Sequence, residues 1–329
     1  MVLRGYTIEG MALSPSTHSA LPDLSALSVR DLLAALMSAD DVAAHVARSL
    51  AEDLGAAGDV TGEAMIPADA RATAVVRFRS PGIACGAPLV AEVLRQVAPG
   101  TRLAHHAADG EQLAAGATFI SMEGPLRGIL TAERTLLNYV GHLSGIATLT
   151  AQYVEQARGT RASICDTRKT VPGMRMLEKW AVRCGGGTNH RIGLFDAMLI
   201  KDNHVAGLSP SDMAKRVASA AAAARSRTPL RFVEVECDTL EQLQAMLGLP
   251  KNTVDMVLLD NMTIGQLAEA VGMRDAAAPG VLLEASGGVH LESVAAIAAT
   301  GVDRISIGAL THSAACLDVG LDVGLDIAL

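Results

Sequence analysis

The chain has 329 residues, enough for two domains or for one large domain with a smaller one attached. Its 27 lysines and arginines stand against 35 aspartates and glutamates, a net charge of −8, and 2% of the residues are aromatic. This balance argues against a general nucleic-acid-binding protein, which needs a basic face and aromatic rings for base stacking. A hydrophobic content of 50% predicts a folded core rather than disorder.

Neither a membrane span nor an export signal is predicted. No apolar run approaches the roughly 20 residues needed to cross a bilayer, and Arg4 and Glu9 interrupt the start of the chain. The 5 cysteines are scattered and lack a CxxC pair, which argues against a disulfide framework or a zinc site. We therefore expect a cytoplasmic protein with reduced thiols.

The first half of the chain divides into a leader and a small domain. Residues 1–28 are rich in Ser, Pro, Gly and Thr and are expected to be a flexible leader. Residues 29–148 are expected to form a small α+β domain. Asp40 or Asp41 can cap a helix that ends at Gly55. Strands are expected at residues 74–78, 103–106 and 118–122. A long helical pattern begins at about Glu133.

Residues 149–316 alternate apolar strands with capped helices, which predicts a parallel sheet covered by helices. Helix starts are expected at Ser209 with Pro210, at Asp238 and at Thr263. Six evenly spaced units without a GxGxxG motif favour an α/β barrel over an open doubly wound sheet. The strands are expected at residues 162–165, 197–200, 232–235, 256–259, 281–283 and 305–307.

The end of the chain, residues 317–329, carries a duplicated Leu-Asp-Val-Gly sequence. A four-residue duplication is too short for a solenoid unit. We expect a tail without chemistry, and the sequence leaves open whether it packs on the first domain.

Positive charge is concentrated between residues 161 and 204, where 8 lysines and arginines face 4 acids, a surplus of 4. Such a concentration in an acidic chain favours an anionic ligand. Arg168, Lys169 and Lys201 adjoin apolar strands, where an unpaired charge is costly. In contrast, the spacing of Arg175, Lys179 and Arg183, four residues apart, is typical of a solvated helix face, so we place them outside the site.

Two acids, Glu236 and Asp260, end apolar strands and are candidate Mg²⁺ ligands beside a phosphate site. Salt bridges from these acids to the barrel lysines are an equally weighted alternative. Glu234 faces the same side of its strand as Glu236, so the sequence does not decide between the two glutamates.

Glycines follow the last two strands of the predicted barrel. Ser286-Gly287-Gly288 and Gly308 can expose main-chain N–H groups to a phosphate, although most such tripeptides are simple turns. His190 follows a glycine run and precedes Arg191, whereas His45, His142 and His290 are expected to be ordinary helix or turn residues. No HExxH spacing is present, which argues against a metal site built from histidines.

With these motifs in place, the chain resembles the quinolinate phosphoribosyltransferases, also called carboxylating nicotinate-nucleotide pyrophosphorylases. The resemblance covers residues 40–327 and departs from the family pattern only in the leader and the duplicated tail. The motifs that carry it are EDLG at 52–55, GDVT at 58–61, ERTLLN at 133–138, LSGIAT at 143–148, DTRKT at 166–170, GGGTNHRIG at 185–193, LIKDNH at 199–204, VEVE at 233–236, LLDNM at 258–262, ASGG at 285–288 and ISIGALTH at 305–312.

The resemblance implies an N-terminal α/β sandwich, a six-stranded barrel and a homodimer with shared active sites, or a higher homo-oligomer. It implies that quinolinate and phosphoribosyl pyrophosphate react with Mg²⁺ to give nicotinate mononucleotide, pyrophosphate and CO₂. Glu236 and Asp260 would lie by the metal and the ribose. Quinolinate would be held by Arg134 from the partner subunit together with Arg168, His190, Arg191 and Lys201. Lys169 would act near the pyrophosphate. The 5′-phosphate would be held by Ser286, Gly287, Gly288 and Gly308.

Three alternatives remain open at this point. A related phosphoribosyltransferase acts on nicotinate, and a molybdenum-associated relative has a less clear substrate. The third is a non-catalytic barrel that binds a phosphosugar. The three arginines Arg134, Arg168 and Arg191 favour a dicarboxylate over a monocarboxylate, since each can pair with a carboxylate group.

Overall fold

The structure is a computed structural model that describes residues 24–324. In its N-terminal part, one strand shows the alternation that places a sheet on a core: Ala74, Val76 and Phe78 are buried while the residues between them are not. The elements of this part are a 3₁₀-helix Leu24–Ala26, α1 Val29–Leu36, α2 Ala39–Leu54, α3 Val60–Met65, β1 Arg71–Phe78, β2 Gly82–Ile83, α4 Ala87–Val97, β3 Arg102–His105, β4 Gln112–Leu113, β5 Thr118–Pro125 and α5 Leu126–Gln156.

The second part alternates strands with helices as expected. Its elements are β6 Ser163–Cys165, α6 Arg175–Cys184, β7 Met198–Ile200, α7 Asp202–Val205, α8 Pro210–Arg225, β8 Val233–Cys237, α9 Leu240–Leu247, β9 Met256–Asp260, α10 Ile264–Ala277, β10 Leu282–Ser286, α11 Leu291–Ala299, β11 Arg304–Ser306 and α12 Ala309–His312, followed by β12 Val319–Gly324.

The six strands β6 to β11 form one parallel sheet in the order β6-β11-β10-β9-β8-β7. The four strands β12-β1-β5-β3 form a separate antiparallel sheet. The expected fold class, a six-stranded α/β barrel with a smaller N-terminal α+β domain, is therefore confirmed. Because parallel strands point the same way, their carboxyl ends gather on one face of the barrel.

The C-terminal tail is part of the N-terminal sheet. The second repeat, residues 321–324, and the end of the first lie in β12, which pairs with β1 in antiparallel register from Val319 opposite Phe78 to Gly324 opposite Thr73. Asp322 accepts hydrogen bonds from the guanidinium groups of Arg77 and Arg79. Residues 325–329 of the predicted tail lie outside the described residues.

The leader is described only from Leu24, and residues 1–23 lie outside the described part of the chain. From Leu24 onward the leader is packed rather than flexible. Leu24 is buried, and Arg183 of α6 donates hydrogen bonds to the main-chain oxygens of Leu24 (2.9 Å) and Leu27 (3.0 Å). The expectation of a flexible segment up to residue 28 is wrong for this stretch.

The expectation of a solvated face on α6 is also wrong. Lys179 is 0% exposed, and its Nζ lies 2.5 Å from Oδ1 of the equally buried Asp166. Arg175 is half-buried and donates to Thr170 Oγ1 (3.2 Å). The spacing of the three cations is helical, as expected, but this side of the helix packs inward.

Most helix starts lie where the caps predict them. Ser209 and Thr263 are N-caps whose side chains accept a main-chain hydrogen bond. The cap of α9 is Thr239 rather than Asp238, since Thr239 and Gln242 form the capping box. Likewise Ser38, with Asp41 at the third helical position, caps α2.

The long helix α5 begins at Leu126, two turns before the expected start at Glu133. Gly128 hides this extension in the sequence because glycine is a poor helix former. Glycine is required at this position because the helix packs closely: a Cβ on Gly128 would lie 2.7 Å from the Ala98 side chain. Among the described residues, no helix is long and apolar enough to cross a membrane.

Candidate active site

A cavity of about 880 Å³ opens at the carboxyl ends of the barrel strands. Every residue predicted for the site lines this cavity except Arg134. The predicted residues that it brings together are Arg168, Lys169, His190, Arg191, Lys201, Glu236, Asp260, Ser286, Gly287, Gly288 and Gly308.

Two guanidinium groups form the cationic side of the cavity. Arg168 follows β6, and Arg191 lies in the segment before β7. Burial and the nearby positive charge of Arg168 lower the pKa of Arg191. The Nε of Arg168 is buried, and no group in residues 24–324 hydrogen-bonds to it. Two mutually repelling cations with a free donor are suited to a ligand with more than one anionic group.

His190 is buried at the base of the cavity between two carboxylates. Its Nε2 lies 2.8 Å from Glu234 Oε2 and 3.4 Å from Glu284 Oε1. Burial lowers the pKa of His190, but the charges of Glu284 and Glu234 outweigh this effect and raise it to about 10. Its Nδ1 accepts the main-chain N–H of Arg191 (2.8 Å), a hydrogen bond that a proton on Nδ1 would break. The two fully buried carboxylates account for the raised pKa, whereas the hydrogen bond at Nδ1 favours the neutral ring.

These contacts separate the two glutamates of β8. Glu234 is fully buried and hydrogen-bonds to His190, whereas Glu236 lines the cavity. Glu284 of β10 is paired with Arg304 of β11, with 2.8 Å between Oε2 and Nε. Of the two glutamates of β8, only Glu236 therefore lines the cavity. Glu284 also lines it, but one of its oxygens is engaged by Arg304.

Three carboxylates converge beside the cavity, and two of them, Glu236 and Asp260, line it. Single oxygens of Glu236, Asp238 and Asp260 lie within 4.8 Å of one another. Burial and the charges of Glu236 and Asp238 raise the pKa of Asp260. Lys201 Nζ, 3.0 Å from Glu236 Oε2, balances one of the charges. Both readings of the sequence are thus present together, an acidic group able to hold a cation and a salt bridge to a barrel lysine.

The glycines at the cavity rim permit a close approach of main chain. Gly287 has φ +92°, and a Cβ there would lie 2.2 Å from Oδ1 of Asn261. At Gly308 a Cβ would lie 2.8 Å from Cδ of Lys169 and 3.1 Å from Nε2 of His312. A side chain at either position would collide with residues that line the cavity.

Several residues that line the cavity, and Asp238 beside its acids, were not selected from the sequence. Asp238 directly follows β8, and its position after a strand was the available indication. His312 lies in the last resembling motif, and His290, expected to be an ordinary turn residue, caps α11 and also lines the cavity. Thr167, Asn261 and Glu284 are further lining residues that were not selected.

Arg134 lies on α5 and lines a different cavity of about 530 Å³. Residues of the N-terminal domain and of the segment after β6 surround it, among them Glu52, Asp53, Tyr139 and Met174. Within one chain Arg134 is therefore not part of the barrel cavity.

Comparison with protein families assigns both parts of the chain. Residues 59–144 match the N-terminal domain of quinolinate phosphoribosyl transferase, and residues 146–322 match its C-terminal domain. The chain belongs to the quinolinate phosphoribosyl transferase family. In this chain, the barrel cavity lies in the part that matches the C-terminal domain, and Arg134 lies in the part that matches the N-terminal domain.

Individual members of the family are similar over most of their length. The nicotinate-nucleotide pyrophosphorylase [carboxylating] of Mycobacterium leprae is 47% identical over 280 residues, which cover 84% of this chain and 95% of that protein. A probable enzyme of the same name from Bacillus subtilis is 38% identical over 83% of this chain and 90% of its own length. The structure of the nicotinate-nucleotide pyrophosphorylase from Francisella tularensis matches with a TM-score of 0.78 and 39% identity, covering 87% of this chain and 96% of that one.

Proposed function

We propose that the protein transfers the phosphoribosyl group of phosphoribosyl pyrophosphate to quinolinate and decarboxylates the product, a step of NAD biosynthesis. The products are nicotinate mononucleotide, pyrophosphate and CO₂. The observation that carries this proposal is the cavity itself, which combines a cationic side, a group of acids and two glycine turns on one barrel face. Membership of the quinolinate phosphoribosyl transferase family supports it.

Quinolinate is a pyridine with two neighbouring carboxylates, and the cationic side suits it. Arg168 and Arg191 each offer a planar guanidinium able to bind a carboxylate through two N–H groups. His190, held by Glu234 and Glu284, packs at the base of the cavity and fixes the main-chain N–H of Arg191 through Nδ1. Lys201 extends the positive charge toward the acids, where the two substrates would meet.

The second substrate carries a 5′-phosphate and a pyrophosphate. Ser286, Gly287, Gly288 and Gly308 would hold the 5′-phosphate, because main chain approaches the cavity closely there. Lys169 borders Gly308 and would neutralise the leaving pyrophosphate.

The acids Glu236, Asp238 and Asp260 fit Mg²⁺, a hard cation that binds carboxylate oxygens together with substrate oxygens. The raised pKa of Asp260 reflects crowded negative charge that a cation would relieve. When bound, the ion would stabilise negative charge on the departing pyrophosphate.

In the proposed reaction, the ring nitrogen attacks the anomeric carbon of the ribose and displaces pyrophosphate. The arginines hold the ring so that its nitrogen faces this carbon, and positioning of this kind lowers the barrier. The ring nitrogen becomes positively charged, which stabilises the carbanion left when the neighbouring carboxylate departs as CO₂. A proton from water then forms the new C–H bond at this carbon. No redox cofactor is needed.

We further propose a cytoplasmic homodimer in which Arg134 enters the active site of the partner subunit. Its position on α5, outside the barrel cavity of its own chain, supports this arrangement. An arginine placed there would add a third guanidinium for the substrate carboxylates.

The decisive experiment is an assay of the purified protein with phosphoribosyl pyrophosphate and Mg²⁺, comparing quinolinate with nicotinate. We expect mononucleotide and CO₂ from quinolinate alone. Product from nicotinate alone would contradict the assignment of the arginines to two carboxylates. Binding without product from either pyridine would favour a phosphosugar-binding protein instead.

A further inference from the structure

The barrel sheet has a seam between its edge strands β6 and β7. In the described part of the chain no ladder joins them, and the single bridge at this seam pairs Cys165 with Thr188 of the preceding segment. Thr188 donates its main-chain N–H to Ile164 (2.8 Å) and accepts that of Asp166 (3.1 Å). The segment before β7 thus lies beside β6 over a very short stretch.

Beyond this bridge, the carboxylate of Asp166 makes the connection. Its Oδ1 accepts hydrogen bonds from Lys179 Nζ (2.5 Å) and from the main-chain N–H of His190 (2.9 Å), and its Oδ2 accepts one from Asn189 Nδ2 (2.6 Å). Asn189 also donates to the main-chain oxygen of Lys179 (2.8 Å). Asp166 and Lys179 are both 0% exposed.

The buried residues Asp166 and His190 are close neighbours along the chain of the two arginines of the cavity. Arg168 follows Asp166 by two residues, and Arg191 follows His190 by one. The two guanidiniums repel each other, as the lowered pKa of Arg191 indicates. Their spacing therefore has to be imposed by the surrounding structure. Asp166 belongs to the segment that carries Arg168, and its side chain hydrogen-bonds to Asn189 and His190 of the segment that carries Arg191.

We propose that Asp166 is a positioning residue that sets the distance between Arg168 and Arg191 and thereby the preference for two neighbouring carboxylates over one. The proposal rests on the proposed function, because the substrate is taken to be quinolinate. Asp166 does not line the cavity. It acts only by joining the segment that carries Arg168 to the segment that carries Arg191.

The first variant is Asp166→Asn, which keeps the shape of the side chain and removes its charge. We expect the Kd for quinolinate, measured by calorimetry, to rise at least tenfold, while the Kd for phosphoribosyl pyrophosphate changes less than threefold. The ratio of affinities for quinolinate and nicotinate should fall toward one. Hydrogen exchange of the His190 amide should accelerate, since its acceptor is weakened.

Asp303→Asn is the matched control. Asp303 is also a buried acid, 8% exposed, and its Oδ2 accepts from Arg274 Nη1 (2.5 Å) and from the main-chain N–H of Leu283 (2.8 Å). It precedes β11 and so lies at the opposite end of the barrel strands. We expect this variant to lower the Tm and to leave both Kd values within twofold of the original protein.

A second variant, Asn189→Ala, serves if Asp166→Asn fails to fold. It keeps the Asp166–Lys179 ion pair, whose loss would leave a buried charge without its partner. It should raise the Kd for quinolinate at least threefold. An equal weakening for both substrates, or a lowered Tm with an unchanged Kd for quinolinate, would overturn the proposal. Because binding is measured without turnover, tight quinolinate binding by an inactive original protein would refute the proposed function and leave this inference standing.

Discussion

The ammonium group of Lys201 lies 3.0 Å from Glu236, so one cation faces a group of three acids that includes Asp238 and Asp260. Lys201 is 49% exposed and Glu236 only 7%. The lysine therefore retains contact with solvent and with an incoming substrate, while the glutamate is fixed in the wall. Two of the three negative charges are left for another cation.

Glu236→Gln should increase the Mg²⁺ concentration needed for half-maximal activity about tenfold, because the neutral amide is a weaker ligand for a hard cation. The measurement is a Mg²⁺ titration of the initial rate after treatment with EDTA, which should itself abolish activity. Glu241→Gln, an exposed acid on α9, should leave the titration unchanged. Identical titrations for the two variants would remove Glu236 from the metal site.

Arg168→Ala should raise the KM for quinolinate tenfold or more. Loss of a charge-assisted carboxylate partner costs roughly 1.5–3 kcal/mol. Steady-state kinetics at saturating phosphoribosyl pyrophosphate measures the effect. The control Arg158→Ala removes an arginine that is 77% exposed and paired with Glu155, and it should not alter the KM. Unchanged kinetics in Arg168→Ala would exclude this residue from the site.

Gly287→Ala should weaken binding of phosphoribosyl pyrophosphate and destabilise the fold by about 1 kcal/mol or more, since alanine is strained at φ +92° and meets Asn261. Gly159→Ala is the control, because Gly159 has φ +82° with no atom within 4 Å of the added Cβ. Urea unfolding should show that both variants lose stability, and kinetics should show a raised KM only for Gly287→Ala. A raised KM in both would assign the effect to stability alone.

Acid should weaken the fold through Glu284. Burial raises the pKa of this carboxyl, but His190 and Arg304 overcome the effect and lower it to about 2. Its unfolded value is 4.5, so its stabilising contribution is complete above pH 4.5 and is lost as the pH falls toward 2. The free energy of unfolding should fall by up to about 1.4 kcal/mol per pH unit from this one group. Urea midpoints between pH 5.5 and 3.5 should show a shallower dependence for Glu284→Gln, and parallel curves would contradict the assignment.

Mixing two inactive variants tests the shared active site. Arg134→Ala and Arg168→Ala should each be impaired alone, but a mixed dimer contains one site with both arginines intact. After the subunits are exchanged, about a quarter of all sites should be restored if pairing is random. The rate of the mixture compared with the unmixed variants measures this. Activity no higher than the mean of the two would contradict the contribution of Arg134 to its partner.

The sequence predicts the strand ends of the barrel well, because strands and helices alternate and several helix starts, among them Ser209, Thr239 and Thr263, carry a capping side chain. It fails where the partner of a charge is distant along the chain. Lys179 has the spacing of a solvated helix face, yet its partner Asp166 lies 13 residues earlier and is buried with it. The helical period shows which side chains share a face but not what covers that face. Hydrophobic patterning likewise misses β2 and β4, which have two residues each.

The C-terminal strand β12 has a consequence for the integrity of the molecule. It returns from the barrel to pair with β1, so the N-terminal sheet contains both early and late parts of the chain. Proteolytic cleavage in the connection between α5 and β6 would leave two fragments that remain associated through the pairing of β12 with β1. Truncation before Val319 would instead uncover the edge of β1, whose free N–H and C=O groups are a template for pairing with another chain. Shortened proteins that lack the last strand should therefore tend to aggregate, even with every cavity residue in place.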